Sequence, residues 1–359
     1  MEQLDVTELP DDVVYHVCAL LLKRKQSSTD VRDWLRQNGY VTASRETPNK
    51  ILKWAFDRAI IHFPVREDLE LSMLVSRKSG VQCRISAVGD NGDMAFENIA
   101  ELAADQVMDL IRQVQANGRK IEPRRDEVHI GLAAGGTSRS FAAHLANKLK
   151  RAHDLPQIWL HTLTSNFFVD NPDSAPVVSP SMFRNVNPAP KYVVLESVPV
   201  VSARDEASLR TRPFTREAFD AARDIDIVVT SVSVANHPHS MFQLAIQKEN
   251  PDLADQRIDD LLNNKAWAGD ILWQPFSTQG EPIECDVRAV SVVDYDDLIR
   301  LSNAPGKHVV CIAGLCTTCK LPKTEAVIPL MRCASSKRPF NHLVTTRSTV
   351  QEIQKAFGW

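Results

Sequence analysis

The stretch Ile130-Gly131-Leu132-Ala133-Ala134-Gly135-Gly136-Thr137-Ser138-Arg139-Ser140 runs from an apolar strand pattern into the helical pattern Phe141-Ala142-Ala143-His144-Leu145. A strand that ends in Gly-Gly-Thr-Ser and feeds a helix offers free backbone N–H groups and hydroxyls to an anion, and the helix dipole adds partial positive charge. Such a turn suits a phosphate, and glycine permits both close backbone approach and positive φ. The same residues fit an ordinary tight turn with Thr137 or Ser138 as helix cap, and spacing alone favours neither reading. The pattern has the spacing of neither a Walker A loop nor a dinucleotide fingerprint.

Further polar residues stand where a parallel sheet collects ligand groups, beyond the carboxyl ends of its strands. Asp270, in Trp267-Ala268-Gly269-Asp270-Ile271-Leu272, can accept hydrogen bonds from sugar hydroxyls. Lys323, after the apolar run at 308–312 and at the start of a helix, can neutralise phosphate. His237 and His239 follow the run at 227–232 and can line the same pocket, although a lone pair in a loop is more often on the surface. Cys311, Cys316 and Cys319, with Cys333 further on, have the C-x4-C-x2-C spacing of a plant-type iron–sulfur site. Cys316 and Cys319 alone fit a redox pair or half of a zinc site. Cys311 lies inside an apolar run, where cysteine behaves as a small hydrophobe, so the expectation is no metal and no cofactor. No Ser/His/Asp or Cys/His elbow stands out.

The elements that would position these residues follow from periodicity. Six short apolar runs, at 128–132, 158–160, 192–195, 227–229, 308–312 and 342–344, alternate with helical patterns at 138–152, 216–223, 255–263, 323–333 and 349–357. That alternation predicts a mostly parallel α/β sheet covered on both faces. Residues 166–190, rich in Pro, Ser and Asn, are expected to form a loop. Upstream, residues 96–114 have the spacing of one long helix stopped by Asn117-Gly118, either a linker or part of the α/β domain.

The first third reads differently. Helices are expected at 11–25, at about 30–37 after the capping residues Ser27-Ser28-Thr29-Asp30, and from Ser44 or Thr47 to Ala59, followed by a short β-like run Ile60-Ile61-His62-Phe63. Three short helices and a strand fit a winged helix-turn-helix. Between Leu20 and Arg66 there are ten Lys/Arg against four acids, in a chain whose net charge is -3. A locally basic segment in an acidic protein fits a nucleic-acid-binding module, although a solvated helical surface would look the same.

The whole chain, 359 residues with 43% hydrophobic and 24% charged residues, is long enough for two globular domains. It has no 18-residue apolar run, and residues 1–10 have the character of no signal peptide, so a cytoplasmic protein is expected. Seven cysteines, an odd number, read as thiols rather than as a disulfide framework.

Taken together, these residues resemble the SorC-type (SorC/DeoR) sugar-binding transcriptional regulators over nearly the whole chain. The turn at 131–145 is similar to that family's Gly-x-x-x-Gly-Thr-Thr phosphate turn. Residues 268–283 are similar to its Gly-Asp-Ile-x-x-x-Phe-x-Asp-x-x-Gly-x-Pro-Val segment, and residues 308–326 to its strand, Ala-Gly-Gly turn and Lys-x-x-Ala helix. Ser44-Arg45-Glu46-Thr47-Pro48-Asn49-Lys50-Ile51-Leu52-Lys53-Trp54-Ala55 is similar to its recognition helix. The chain departs from the pattern in five places. Pro48 replaces an aliphatic residue, Arg32 replaces a small Ala, and eight residues (36–43) separate Leu35 from Ser44 where the family has about two. Ser231-Val232-Ser233-Val234 stands for a Gly-Ile-Gly turn, and Gln274-Pro275 alters the loop after Asp270.

The resemblance implies a winged helix-turn-helix over residues 1–66 and, over 67–359, an α/β effector and oligomerisation domain like the phosphosugar isomerases. It implies an effector pocket containing Gly135, Gly136, Thr137, Ser138, Asp270 and Lys323. It also implies DNA contacts from Arg45, Asn49, Lys50 and Lys53. The expected partners are an operator in double-stranded DNA, a phosphorylated sugar, and other copies of the chain in a homotetramer. Two alternatives stay open: a phosphosugar-processing enzyme, for which Asp270 is the one nameable general base, and a metabolite-binding protein that does not bind DNA.

Overall fold

The computed structural model describes residues 4–57, 61, 65–87, 93–120, 123–165, 175–202, 205–235, 237–249, 251–263, 265–316 and 319–359. The chain divides into two compact units, Met1–Pro64 and Val65–Trp359.

In the first unit, α1 (Asp11–Leu22), α2 (Ser28–Gln37) and α3 (Thr47–Asp57) bury one apolar face each. Val14, Val17 and Leu20 of α1 meet Val31 and Leu35 of α2 and Ile51 and Ala55 of α3 in one core. A capping box starts α2: the Ser27 hydroxyl accepts from Asp30 N, and the Asp30 carboxylate accepts from Ser27 N. The long interval after α2 is ordered by its own polar groups. Arg36 Nε donates to Ala43 O at 2.9 Å, and Ser44 N donates to Thr47 Oγ1 at 2.8 Å. Pro48 is the second residue of α3, where its missing N–H is one that the first turn leaves unpaired anyway. Of the strand expected at 60–63, only Ile61 is described, and it lies in no strand; Ile60, His62 and Phe63 lie outside the described residues.

The second unit comprises α4 (Leu69–Ser79), β1 (Gln82–Ser86), α5 (Asp93–Gly118), β2 (Glu127–Leu132), α6 (Gly136–Leu149), β3 (Gln157–Thr162), α7 (Val178–Ser181), β4 (Lys191–Val193), β5 (Val200–Ser202), α8 (Glu206–Arg210), α9 (Pro213–Ala221), β6 (Ile227–Val234), α10 (Met241–Glu249) and α11 (Pro251–Asn263). It continues with β7 (Trp267–Ile271), β8 (Gln274–Ser277), β9 (Val287–Ala289), α12 (Tyr295–Asn303), β10 (His308–Ala313), α13 (Thr324–Arg332), β11 (His342–Thr346) and α14 (Arg347–Phe357). The main sheet has the order β1-β11-β10-β6-β2-β3-β4 with every pair parallel. The six expected strands all form. Residues alternate along each strand between two cores: Val309, Cys311 and Ala313 of β10 face one side, Val310 and Ile312 the other. On that second side lies α5, whose Ile99, Val107 and Ile111 share the core with Phe141 and Leu145 of α6. The long helix is therefore part of this unit rather than a linker. Residues 175–190 of the expected loop carry the short α7, and 166–174 lie outside the described residues.

Sequence order runs outward from the centre in both directions, β2 to β3 to β4 on one side and β6 to β10 to β11 on the other. The strand order therefore reverses between β2 and β6, the point at which an open α/β sheet forms a crevice beyond its carboxyl ends. The last residues of β6 do not form the turn that the family pattern has at 231–234. They continue the strand and pair antiparallel with β7, Ser233 opposite Asp270. Gln274-Pro275, expected in a loop, begins β8, which pairs with β7.

Two buried imidazole pairs bridge neighbouring strands, one between β2 and β3 and one at the amino ends of β10 and β11. His129 Nδ1 is 2.9 Å from His161 Nε2, and His308 Nδ1 is 3.0 Å from His342 Nε2. Burial first, then the neighbouring imidazole, pushes the pKa of His161 and of His342 down to about 3. Both rings stay neutral in the folded chain at pH values where an unfolded histidine, near 6.5, takes up a proton. The unfolded state then binds more protons, so this contribution to stability is complete above about pH 6.5 and is lost as pH falls toward 3. Each ring adds a slope approaching roughly 1.4 kcal/mol per pH unit in that window. Urea midpoints at pH 7.5 and 5.5 check this: the midpoint falls at the lower pH, and the fall is shallower in His342→Gln.

Candidate functional site

A cavity of about 290 Å³ opens at the reversal between β2 and β6. The ends of these strands and the turns after them supply Ala133, Gly135, Gly136 and Thr137 on one side and Thr230, Ser231 and Ser233 on the other. The antiparallel ribbon adds Asp270, Leu272 and Trp273, the turn before α10 adds His237 and His239, and the turn before α13 adds Cys316 and Lys323.

Gly135 precedes α6 at φ 102°, ψ 166°, a conformation essentially restricted to glycine. It aims the first turn of α6 at the cavity, where the N–H groups of Gly136, Thr137 and Ser138 have no intrahelical acceptor. Lys323 is the N-cap of α13, and its Nζ donates to Thr137 Oγ1 at 3.4 Å. Two helix starts, on strands apart in the sheet, thus share one ammonium. Lys323 is accessible through the cavity yet ringed by protein, and that enclosure decides its acidity: burial lowers its pKa, opposed by the Cys316, Cys311 and Asp270 side chains.

Asp270 reaches the cavity by a route the sequence did not indicate. It lies inside β7, against the extension of β6, rather than beyond the end of a parallel strand. The preceding Gly269 is required by close approach: a Cβ there would stand 2.3 Å from Ser233 O and 2.9 Å from Ala326 Cβ. Asp270 is 3% exposed, and burial pushes its pKa up to about 7 against the opposing effects of the Ser240 hydroxyl and Lys323. Ser240 Oγ donates to Asp270 Oδ2 at 2.9 Å. The turn between β7 and β8 places Leu272 and Trp273 in the left-handed region, φ 50° and 62°, the conformation of a two-residue hairpin turn.

The structure thus brings five of the six expected pocket residues, Gly135, Gly136, Thr137, Asp270 and Lys323, to one cavity. Ser138 is the exception: it is buried behind the turn, does not line the cavity, and its Oγ lacks a partner among the described residues. Sequence reasoning missed Ser240, Thr164 and the serines of β6. Thr164 Oγ1, at the cavity wall, is a second buried hydroxyl without a partner among the described residues. No motif marks these residues; only the strand pairing brings them in.

The expected iron–sulfur spacing does not converge. Cys311 is fully buried in the core on β10, and Cys333 Sγ lies against Gly280 O and Pro329 O. Cys316 and Cys319 instead meet His237 and His239.

In the first unit, Arg45, Asn49, Lys50 and Lys53 are all exposed, opposite the buried Ile51 and Ala55. Lys50 lies 3.7 Å from Glu46, and Asn49 Oδ1 accepts from Ser28 Oγ at 3.4 Å. The arrangement is a polar, cationic helix face.

The order of elements and the crevice at the strand reversal define a doubly wound α/β unit carried with a small three-helix unit. Three solved structures with this fold are described as transcriptional regulators. The full-length sorbitol operon regulator SorC from Klebsiella pneumoniae superposes with a TM-score of 0.62 at 14% identity, covering 95% of this chain and 98% of that one. A transcriptional regulator from Streptococcus pneumoniae gives 0.61 at 15% identity, covering 81% and 98%. A DeoR family transcriptional regulator from Listeria monocytogenes gives 0.56 at 17% identity, covering 79% and 98%. The chain shares its fold with these proteins. No family model matches the sequence, and no curated protein does. Among the described residues no helix is long and apolar enough to cross a membrane.

Proposed function

We propose that the chain is a DNA-binding transcriptional regulator controlled by a phosphorylated sugar, with DNA contacts in residues 1–66 and the effector site in 67–359. The observation that carries this reading is the convergence of the α6 start, Lys323 and Asp270 on one cavity. Helix N–H groups and an ammonium are what a phosphate needs, and a buried carboxyl a short way off is what sugar hydroxyls need. Two solved structures of similar fold, the sorbitol operon regulator and a domain of a possible sugar-binding transcriptional regulator from Arthrobacter aurescens, support the same reading. The ligand is then an effector rather than a substrate. Binding changes the geometry or assembly of paired N-terminal units in a cytoplasmic homotetramer, with Arg45, Asn49, Lys50 and Lys53 facing an operator.

Electrophoretic mobility with the DNA upstream of the chain's own gene tests the DNA arm. The complex forms at low salt and responds to a phosphorylated sugar. Arg45→Ala and Lys53→Ala each weaken it and reduce the salt slope by about 1 wherever the lost cation met a phosphate. Absence of any shift at low salt, with or without sugar phosphates, contradicts the DNA arm.

A further inference from the structure

The turn after β6 carries His237 and His239, and the turn after β10 carries Cys316 and Cys319. Because β6 and β10 are paired and parallel, both turns emerge at the same edge of the sheet. Their four side chains each direct one donor atom to a common point, all within 4.8 Å of one another. His237 Nε2 is 3.0 Å from Cys319 Sγ, and Cys316 Sγ is 3.8 Å from His239 Nδ1. A tetrahedron with zinc–nitrogen and zinc–sulfur bonds of about 2.0–2.3 Å has edges of roughly 3.3–3.8 Å. The donors therefore stand near tetrahedral separation, and small rotations of the side chains close the rest.

We propose that His237, His239, Cys316 and Cys319 bind one Zn²⁺ ion, which staples the two turns together and fixes one wall of the cavity. The donor set argues for zinc. Two thiolates and two imidazoles are the ligands of closed structural zinc sites, whereas oxygen donors, favoured by magnesium and calcium, are absent from the set. The two thiolates also neutralise the dication, so the site adds no net charge beside Lys323. With four protein ligands no coordination position stays open, which makes the ion a structural one rather than a Lewis acid. Metal entry requires proton shifts: His239 N donates to His237 Nδ1 at 3.1 Å, a contact that opens when His237 binds through Nε2. Exposed His239 gives the ion its path. The inference stands apart from the sugar reading, since the four ligands form a site whether or not the cavity takes a phosphosugar.

The test uses the full chain, purified without chelator under reducing conditions. Elemental analysis is expected to give one zinc per chain, and cobalt substitution to give the thiolate charge-transfer band and the intense ligand-field bands of tetrahedral coordination. Zinc is expected to raise the melting temperature of chelator-treated protein. His239→Ala, at an exposed position, keeps the chelator-treated melting temperature but loses both the zinc and the zinc-dependent rise. Cys316→Ser and Cys319→Ser each weaken the charge-transfer band, and the double substitution abolishes it. Substoichiometric zinc after zinc addition, a cobalt spectrum without thiolate bands, unchanged metal content in His239→Ala, or a Cys316–Cys319 disulfide in peptide maps of the reduced preparation overturns the proposal.

Discussion

An Asp226→Ala chain is expected to lose about 3–5 kcal/mol of stability, the usual cost of removing one member of a buried ion pair. Asp226, 3% exposed, lies just before β6 and joins three strands. Its carboxylate accepts Arg125 Nη1 at 2.9 Å, Arg125 Nη2 at 3.0 Å, Lys307 Nζ at 3.0 Å and His129 N at 3.0 Å. Its own backbone bonds reach β2 and β10 through His129 O and His308 N. Alanine leaves Lys307 without its carboxylate partner, Arg125 with only the more distant Glu127 carboxylate at 3.6 Å, and a buried N–H without its side-chain acceptor. Because Arg125 and Lys307 keep 28% and 25% exposure, water relieves part of the cost, and the loss falls toward the lower end of that range. Urea denaturation at pH 7.5 measures it. The site lies at the strand ends opposite the cavity, so ligand affinity of the folded fraction is expected to stay unchanged.

The second large effect is on binding. Lys323→Met is expected to reduce affinity for a phosphorylated sugar by roughly 10- to 150-fold, the equivalent of one hydrogen bond to a charged group at 1.5–3 kcal/mol. Methionine keeps the apolar stem and removes the ammonium that sits over the start of α6. The loss is expected to be specific to the phosphate: the corresponding free sugar, bound weakly through its hydroxyls, changes little. Isothermal titration of both ligands against both proteins separates these effects. An equal loss for sugar and sugar phosphate would point instead to a damaged cavity wall.

Much of this architecture was legible in the residue pattern, for physical reasons that differ from element to element. Strands buried on both faces need continuous apolar runs, so β2, β6, β10 and β11 could be read directly. β1 could not, since Gln82 and Arg84 break its run, and β7 was hidden because Asp270 interrupts an otherwise apolar segment. The residue that conceals β7 is thus one of those that line the cavity. Residues 231–234 depart from a glycine turn, and Val232, Ser233 and Val234 carry β6 onward to pair with Ile271, Asp270 and Gly269 of β7. Gly135 and Lys323 announced themselves, one by a backbone need and one by its place before a helix. Ser240 and Thr164 did not, because a hydroxyl near a site looks like any other in sequence. The His237, His239, Cys316, Cys319 cluster was half visible as Cys-x2-Cys; its other half came from a loop 77 residues earlier by the Cys316–His239 count, and only strand pairing joins them.

The central claim is that the cavity at the strand reversal holds a phosphorylated sugar and that this controls the DNA-binding unit. Titrating the full chain, already bound to its upstream DNA, with a panel of sugar phosphates, the matching free sugars and inorganic phosphate tests it most directly. At least one sugar phosphate is predicted to change the DNA affinity at concentrations where its free sugar and inorganic phosphate do not, and Lys323→Met is predicted to need roughly 10- to 150-fold more of it. DNA binding that no sugar phosphate alters, or a response identical in Lys323→Met, would contradict the account.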